Sequence, residues 1–477
     1  MDLWNSIDAL KAACKGAIDI DGEKLSIKDE HRFRHEAADK LVWNAVFATE
    51  EPVRNVARWV IWEASQHLGC PSSTIHDLYM ARAKDEWKDM TVPAINLRCM
   101  TYDVARTIFK SLLRIDSSAC IFEIAKSEMN YTAQRPSEYV TCVLAAALRE
   151  GWKAPVFIQG DHFQANAKKF AADPKAEIQS IKDLITESID AGFYNIDIDT
   201  STLVDLSKPT VMEQQRANFE TAAELTRHVR ACQPKGVAVS VGGEIGEVGT
   251  KNSTPEELTA FMEGYNSSLG RGTEGISKIS IQTGTSHGGV PLPDGSIAKV
   301  ALDFAALDTL GALARTQFGI GGVVQHGAST LPESAFDQFP KHQTMEVHLA
   351  TGFQNTILDS TSLPRTLKEN IYKWLDHNAA DERKPDMTNE QFYYKARKKA
   401  LGPFKKEMWS LTDNTRSALM SELARQFDML FTRLNIKGSS NTIAKFLKPV
   451  AVHHPFSTAA APKKSAKIEH DDNPNAD

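Results

Sequence analysis

Three runs decide the fold: APVFIQGDH (154–162), ISKISIQTGTSH (276–287) and IGGVVQH (320–326). Each is a short, mostly apolar stretch closing on a histidine, the pattern of a buried parallel strand whose last residue meets the following loop. Five more runs have the same texture: VPAINLR (92–98), SACIFEIA (118–125), YNIDIDT (194–200), GVAVSVGGE (236–244) and TMEVHLA (344–350). Between them lie amphipathic stretches long enough for crossover helices. Eight such units predict an α/β fold, a (β/α)8 TIM barrel, with reactive residues gathered at the carboxyl ends of the strands. An open doubly wound sheet is the rival, but it brings residues of strands three to seven around one point less readily.

The polar endings are Asn96, Glu123, Asp161, Asp199, Glu244, His287, His326 and His348. A lone histidine at a strand end usually does no more than hydrogen-bond. Three at the ends of the third, sixth and seventh runs, His162, His287 and His326, are a set that can hold a zinc ion with a fourth position open for chemistry. Asp197 is read as facing away from Asp199.

Working outward, residues 1–90 read as a helical extension, with EEPVRNVARWVIWEASQHL (50–68) amphipathic at helical spacing. The barrel is expected over 91–359, a second helical extension over 360–456 and a disordered tail over 457–477. The basic run KARKKALGPFKK (395–406) is read as a solvated helix face.

Composition narrows the function. The chain has 477 residues, 42% hydrophobic and 24% charged, with a formal net charge of −6, which excludes a disordered chain and gives no general attraction for nucleic acid or an anionic membrane. Six scattered cysteines form no CxxC pair, so reduced thiols and a cytoplasmic location are expected. There is no long apolar run. A small-molecule substrate and a homo-oligomer are the expected partners, with no nucleic acid and no membrane.

The strand-end residues resemble the class II, metal-dependent fructose-bisphosphate and tagatose-bisphosphate aldolases over roughly residues 92–355. The motifs are Asp161-His162, Glu244-Ile245-Gly246, Ser286-His287-Gly288 and His326-Gly327-Ala328-Ser329, in the family's order. The resemblance implies that His162, His287 and His326 ligate Zn2+, or another divalent metal such as Co2+ or Mn2+. It makes Asp199 and Glu244 carboxylates of a second or mobile metal position and gives Asp161 the proton transfer of aldol cleavage, while the metal polarises the ketose carbonyl. Gly288, Gly289, Gly327, Ser329, Ala350 and Thr351 match phosphate-binding positions, and Asn96 matches a substrate contact.

The sequence departs from the family in three places. The lysine that often follows the sixth-strand histidine is absent from His287-Gly288-Gly289-Val290-Pro291-Leu292-Pro293, and Lys126 is the candidate replacement. His348 stands where the family has asparagine. Lys251 and Asn252 fall where acidic loop residues are usual, with Glu247 nearby. A sugar epimerase or isomerase on the same scaffold is therefore kept as an alternative. A third reading comes from FEIAKSEMNY, QGDHFQAN and AGFYNIDIDTST, which look like segments of the tagatose-bisphosphate aldolase accessory subunit, a partner protein rather than an enzyme.

Overall fold

The eight runs become eight strands: β1 (Val92–Asn96), β2 (Ile121–Ala125), β3 (Val156–Gln164), β4 (Asn195–Asp199), β5 (Ser240–Gly246), β6 (Lys278–Ile281), β7 (Val323–Gln325) and β8 (Glu346–Leu349). The computed structural model describes residues 1–246, 251–284 and 302–458. Every strand pairs in parallel with its sequence neighbours, and β8 pairs with β1 through Val92↔Glu346 to Ile95↔Leu349, so the sheet closes. This is the (β/α)8 barrel.

Helices cover the barrel because their apolar stripes have no other place to go. Thr101–Arg114 buries Val104, Ala105, Ile108, Phe109 and Leu112, and Pro136–Glu150 buries an unbroken run from Tyr139 to Leu148. The long helix Asp413–Arg433 packs Leu419, Leu423, Phe427 and Leu430 inward, with Phe427 against Phe353 of the helix after β8. Among the described residues no helix is long and apolar enough to cross a membrane, and the six cysteines are free.

Residues 72–83 close the amino-terminal end of the barrel. Ser72–Ser73 pair with the start of β3, the Ile75 amide donates to Asn195 Oδ1, and the buried Tyr79 hydroxyl donates to Glu346. The expected helical character of residues 1–90 omits this short strand and an antiparallel hairpin of Ile18–Asp21 and Lys24–Ile27. The hairpin's two-residue loop is Gly22-Glu23, with glycine at the first central position and φ +58°, a recognised hairpin signal.

Residues 452–454 are tied to a helix from the first part of the chain. Indole N–H groups of Trp59 and Trp62, on the helix Glu51–His67, donate to the carbonyls of His454 and Val452 at 3.0 and 2.8 Å. Glu63 accepts from the His454 amide and pairs with the His453 ring, while the His454 ring stacks on Trp62 at 4.0 Å.

Candidate active site

Regular strand alternation sends neighbouring side chains to opposite faces. Asp161 and His162 escape that rule. The β3–β4 register shifts between Gly160 and Phe163, and His162 adopts φ +41°, a left-handed conformation that costs an ordinary residue about 1–2 kcal/mol. Such bulges re-aim side chains at barrel rims, and here both residues reach the mouth. Gly160 permits the turn, since a Cβ there would lie 2.4 Å from the Phe163 ring. A second shift, between Glu244 and Gly246, ends β5. Gly246 has φ +60° and no room for a Cβ beside Ser201, which leaves glycine as the residue that fits.

The mouth gathers most of the expected residues. Asn96, Asp161, His162 and His326 line one concavity with Gly327, Ser329, Ala350 and Thr351. The His162 and His326 rings lie 4.2 Å apart, centroid to centroid, and His348 follows at 4.0 Å from His326. Nδ1 of His162 faces Asp199 at 3.2 Å and Glu244 at 3.4 Å. Asp199 also accepts from the Gln164 amide and from both Ser201 N and Oγ. Ser329 Oγ accepts from the Ala350 amide at 2.6 Å. His287, Gly288, Gly289 and Glu247 lie outside the described residues.

Three sets of described side chains bring potential metal-ligand atoms within 4.8 Å of one another. In Asp161, His326 and His348, both nitrogens of His348 already face carboxylates, Nδ1 at 3.2 Å from Asp161 and Nε2 at 2.6 Å from Glu346. In Glu123, Asp197, Glu346 and His348, the Lys278 ammonium already supplies the cation, donating to Asp197 and Glu346. The third set is His162, Glu244 and His326. Two imidazoles and a carboxylate suit zinc or a similar divalent ion, so these residues fit the expected metal.

Electrostatics follow from burial and crowding. Burial opposes ionisation of Asp161, but the imidazoles of His162 and His348 outweigh it and hold the carboxyl well below the usual range. Burial, reinforced by the Asp199 charge, pushes Glu244 up to about 7 despite the pull of His162. Deeper in the barrel, burial raises Glu123 to about 8 against the pull of His348.

The structure corrects one sequence expectation and places another differently. Asp197 does not face away from Asp199: residues two apart on a strand share a face, and Asp197 points into the barrel, 3.0 Å from Lys278 Nζ. Lys126 donates to the Gln164 carbonyl at 2.9 Å and lies 3.6 Å from Glu177, so its ammonium is engaged beside the site. Among the described residues, the cation lining the mouth is Arg98, whose Nε donates to Glu128 at 2.5 Å and whose Nη1 donates to Thr351 Oγ1 at 3.2 Å. Its signal was the arginine closing VPAINLR. Lys278 also went unnoticed, hidden within ISKISI.

A family model described as Fructose-bisphosphate aldolase class-II matches residues 79–421. Among solved structures, the fructuronate-tagaturonate epimerase UxaE from Cohnella laeviribosi is 12% identical, with 82% of this chain and 85% of that chain covered at a TM-score of 0.50. A fructose-bisphosphate aldolase from Campylobacter jejuni is 17% identical, covering 75% and 93% at a TM-score of 0.45. A putative fructose-1,6-biphosphate aldolase from Coccidioides immitis is 16% identical, covering 76% and 96% at 0.44. A search of curated proteins returns no match. With the family's model matched from the helix that closes the barrel's base to the C-terminal helices, the chain belongs to the class-II fructose-bisphosphate aldolase family.

Proposed function

We propose that the chain is a metal-dependent aldolase that reversibly cleaves a carbon–carbon bond in a phosphorylated ketose. The observation that carries this reading is the convergence of His162, Glu244 and His326 at the barrel mouth, with Asp161 directly preceding one of them. Zinc, or cobalt or manganese in its place, would supply Lewis acidity to a ketose carbonyl. His287 is proposed as a further ligand, and Asp199, already accepting from Gln164 and Ser201, as the group that orients His162.

Asp161 takes the proton from the hydroxyl on the carbon whose bond breaks, and returns it in the synthetic direction. Its other oxygen accepts from Asn96 Nδ2 at 3.0 Å, which fixes the carboxylate plane. Phosphate is assigned to Gly327, Ser329, Ala350 and Thr351, with Gly288 and Gly289. Ser329 accepts from Ala350 and keeps its own O–H to donate, and Arg98 stands behind Thr351 as the charge.

One observation favours a second reading, epimerisation of a ketose with less negative charge. Arg98 is the one lysine or arginine among the described residues lining the mouth, and Glu128 already neutralises it. A retro-aldol step run backward after rotation of one fragment inverts a centre without releasing products.

The test pairs metal analysis of the purified protein with a screen of fructose and tagatose mono- and bisphosphates and their uronate counterparts. Triose release supports the aldolase, and interconversion without triose moves the assignment to the epimerase. A protein that binds no divalent metal and converts nothing is the accessory-subunit outcome.

A further inference from the structure

Below the mouth, the barrel interior is ionic where barrels ordinarily pack branched aliphatic side chains. Lys278, at the base of β6, donates to Gln159 at 2.8 Å, to Asp197 at 3.0 Å and to Glu346. Glu346 takes further hydrogen bonds from the Tyr79 hydroxyl and from His348 Nε2. The opposite nitrogen of the same ring, Nδ1, reaches Asp161 Oδ1 at 3.2 Å and Glu123 Oε1 at 3.2 Å. A chain of contacts thus runs from the plugged base of the barrel to the carboxylate assigned to proton transfer.

The two ends of this chain differ in freedom. Glu346 and Lys278 are at most 1% exposed and held on several sides, so they are a fixed anchor. Asp161 sits on a bulge at the rim, and His348 and Asn96 each grip one of its oxygens. Remove the His348 contact and one oxygen loses its direct hydrogen-bond restraint, while Asn96 still holds the other.

We propose that His348 is a positioning residue for Asp161: anchored by Glu346 and Lys278, its ring sets the direction in which the Asp161 carboxylate faces the substrate hydroxyl. The proposal rests on the assignment of Asp161 as the proton-transfer group. It predicts an asymmetry between the two ends of the ring, because an asparagine amide nitrogen falls near the place of histidine Nδ1 and a glutamine amide nitrogen near Nε2.

The experiment compares His348→Asn and His348→Gln in the zinc-loaded protein, with zinc content confirming an intact site. Asparagine keeps the donor to Asp161 and gives up the one to Glu346; glutamine does the reverse. With fructose or tagatose 1,6-bisphosphate, whichever is cleaved, His348→Gln is expected to lower kcat about a hundredfold, the scale of a misaligned reacting group, at unchanged KM. His348→Asn restores kcat to within about threefold, since the aligning contact is kept. Full turnover in His348→Gln, or equal loss in both variants, overturns the proposal.

Asp161→Asn, run alongside, separates the two assignments. If it alone keeps turnover, the role of Asp161 fails. If it is slow while His348→Gln is fast, only the positioning role fails. Adding His348→Gln to Asp161→Asn is expected to cost nothing more. A substrate-free arm uses 15N-histidine NMR of the zinc-loaded protein. The downfield Nδ1–H of His348, told apart from the Nε2–H that faces Glu346 by its ring correlations and lost in His348→Gln, should move upfield in Asp161→Asn, and an unmoved Nδ1–H overturns the contact itself.

Discussion

Asp199 stands 3.2 Å from Nδ1 of His162, and its carboxylate is already occupied by three donors from Gln164 and Ser201. A carboxylate so committed acts on the imidazole, fixing its tautomer and pointing its other nitrogen elsewhere. Asp199→Asn is therefore expected to weaken zinc affinity by about 10–100-fold, the usual cost of losing such a partner. Competition titration against a chromogenic chelator measures it, and unaltered affinity removes the orienting role.

Metal loading should also be visible in stability. A ligand that binds only the folded state adds about 4 kcal/mol at a free concentration a thousandfold above its Kd. Chelation is expected to lower Tm and added zinc to restore it. In His162→Ala and His326→Ala the response to zinc should vanish; a full response in both variants would mean the ion binds elsewhere.

For Asp161, the expected outcome is kinetic. Asp161→Asn keeps the shape and the Asn96 neighbour but accepts no proton, and kcat should fall by roughly a hundredfold or more with zinc content unchanged. Near-normal turnover, measured where chemistry limits the rate, would leave Asp161 a structural partner.

Lys278 tests the interior. Its ammonium is the counter-charge for two buried carboxylates, Asp197 and Glu346. Lys278→Met leaves them uncompensated, and the expected loss is about 3–5 kcal/mol in denaturant unfolding. A loss below about 1 kcal/mol would show that water or protonation relieves the carboxylates.

Glu123 gives a pH signature in the metal-free protein. Burial raises its carboxyl to about 8, whereas the unfolded chain ionises near 4.3. Between those values the folded state holds a proton the unfolded state has released, so this group's contribution to stability falls as pH rises from about 4.3 to about 8. Glu123→Gln should flatten that part of the stability profile. An unchanged slope in the variant would assign it to other groups.

The barrel was legible because strands buried on both faces leave near-continuous apolar runs, and all eight runs became strands. The site was legible in part. Asp161 and His162 could be paired through the motif resemblance, but strict alternation would have separated them, and the bulge that reunites them has no signature beyond Gly160. Asp197 was misplaced by a miscounted alternation. Lys278 was invisible because a buried lysine reads as an interruption in ISKISI until its carboxylate partners on other strands are known. His348 was noted as a departure, yet its role depends on Glu346 and Asp161 at once, a relation only the closed barrel provides.

The strap from Val452 to His454 has a consequence for synthesis of the chain. The acceptor for Trp62 lies 390 residues downstream, so at about 5–20 residues per second the two indoles wait roughly 20–80 s for their cover. For that interval the helix Glu51–His67 carries two indoles without the carbonyl acceptors and the stacked ring that cover them in the folded chain.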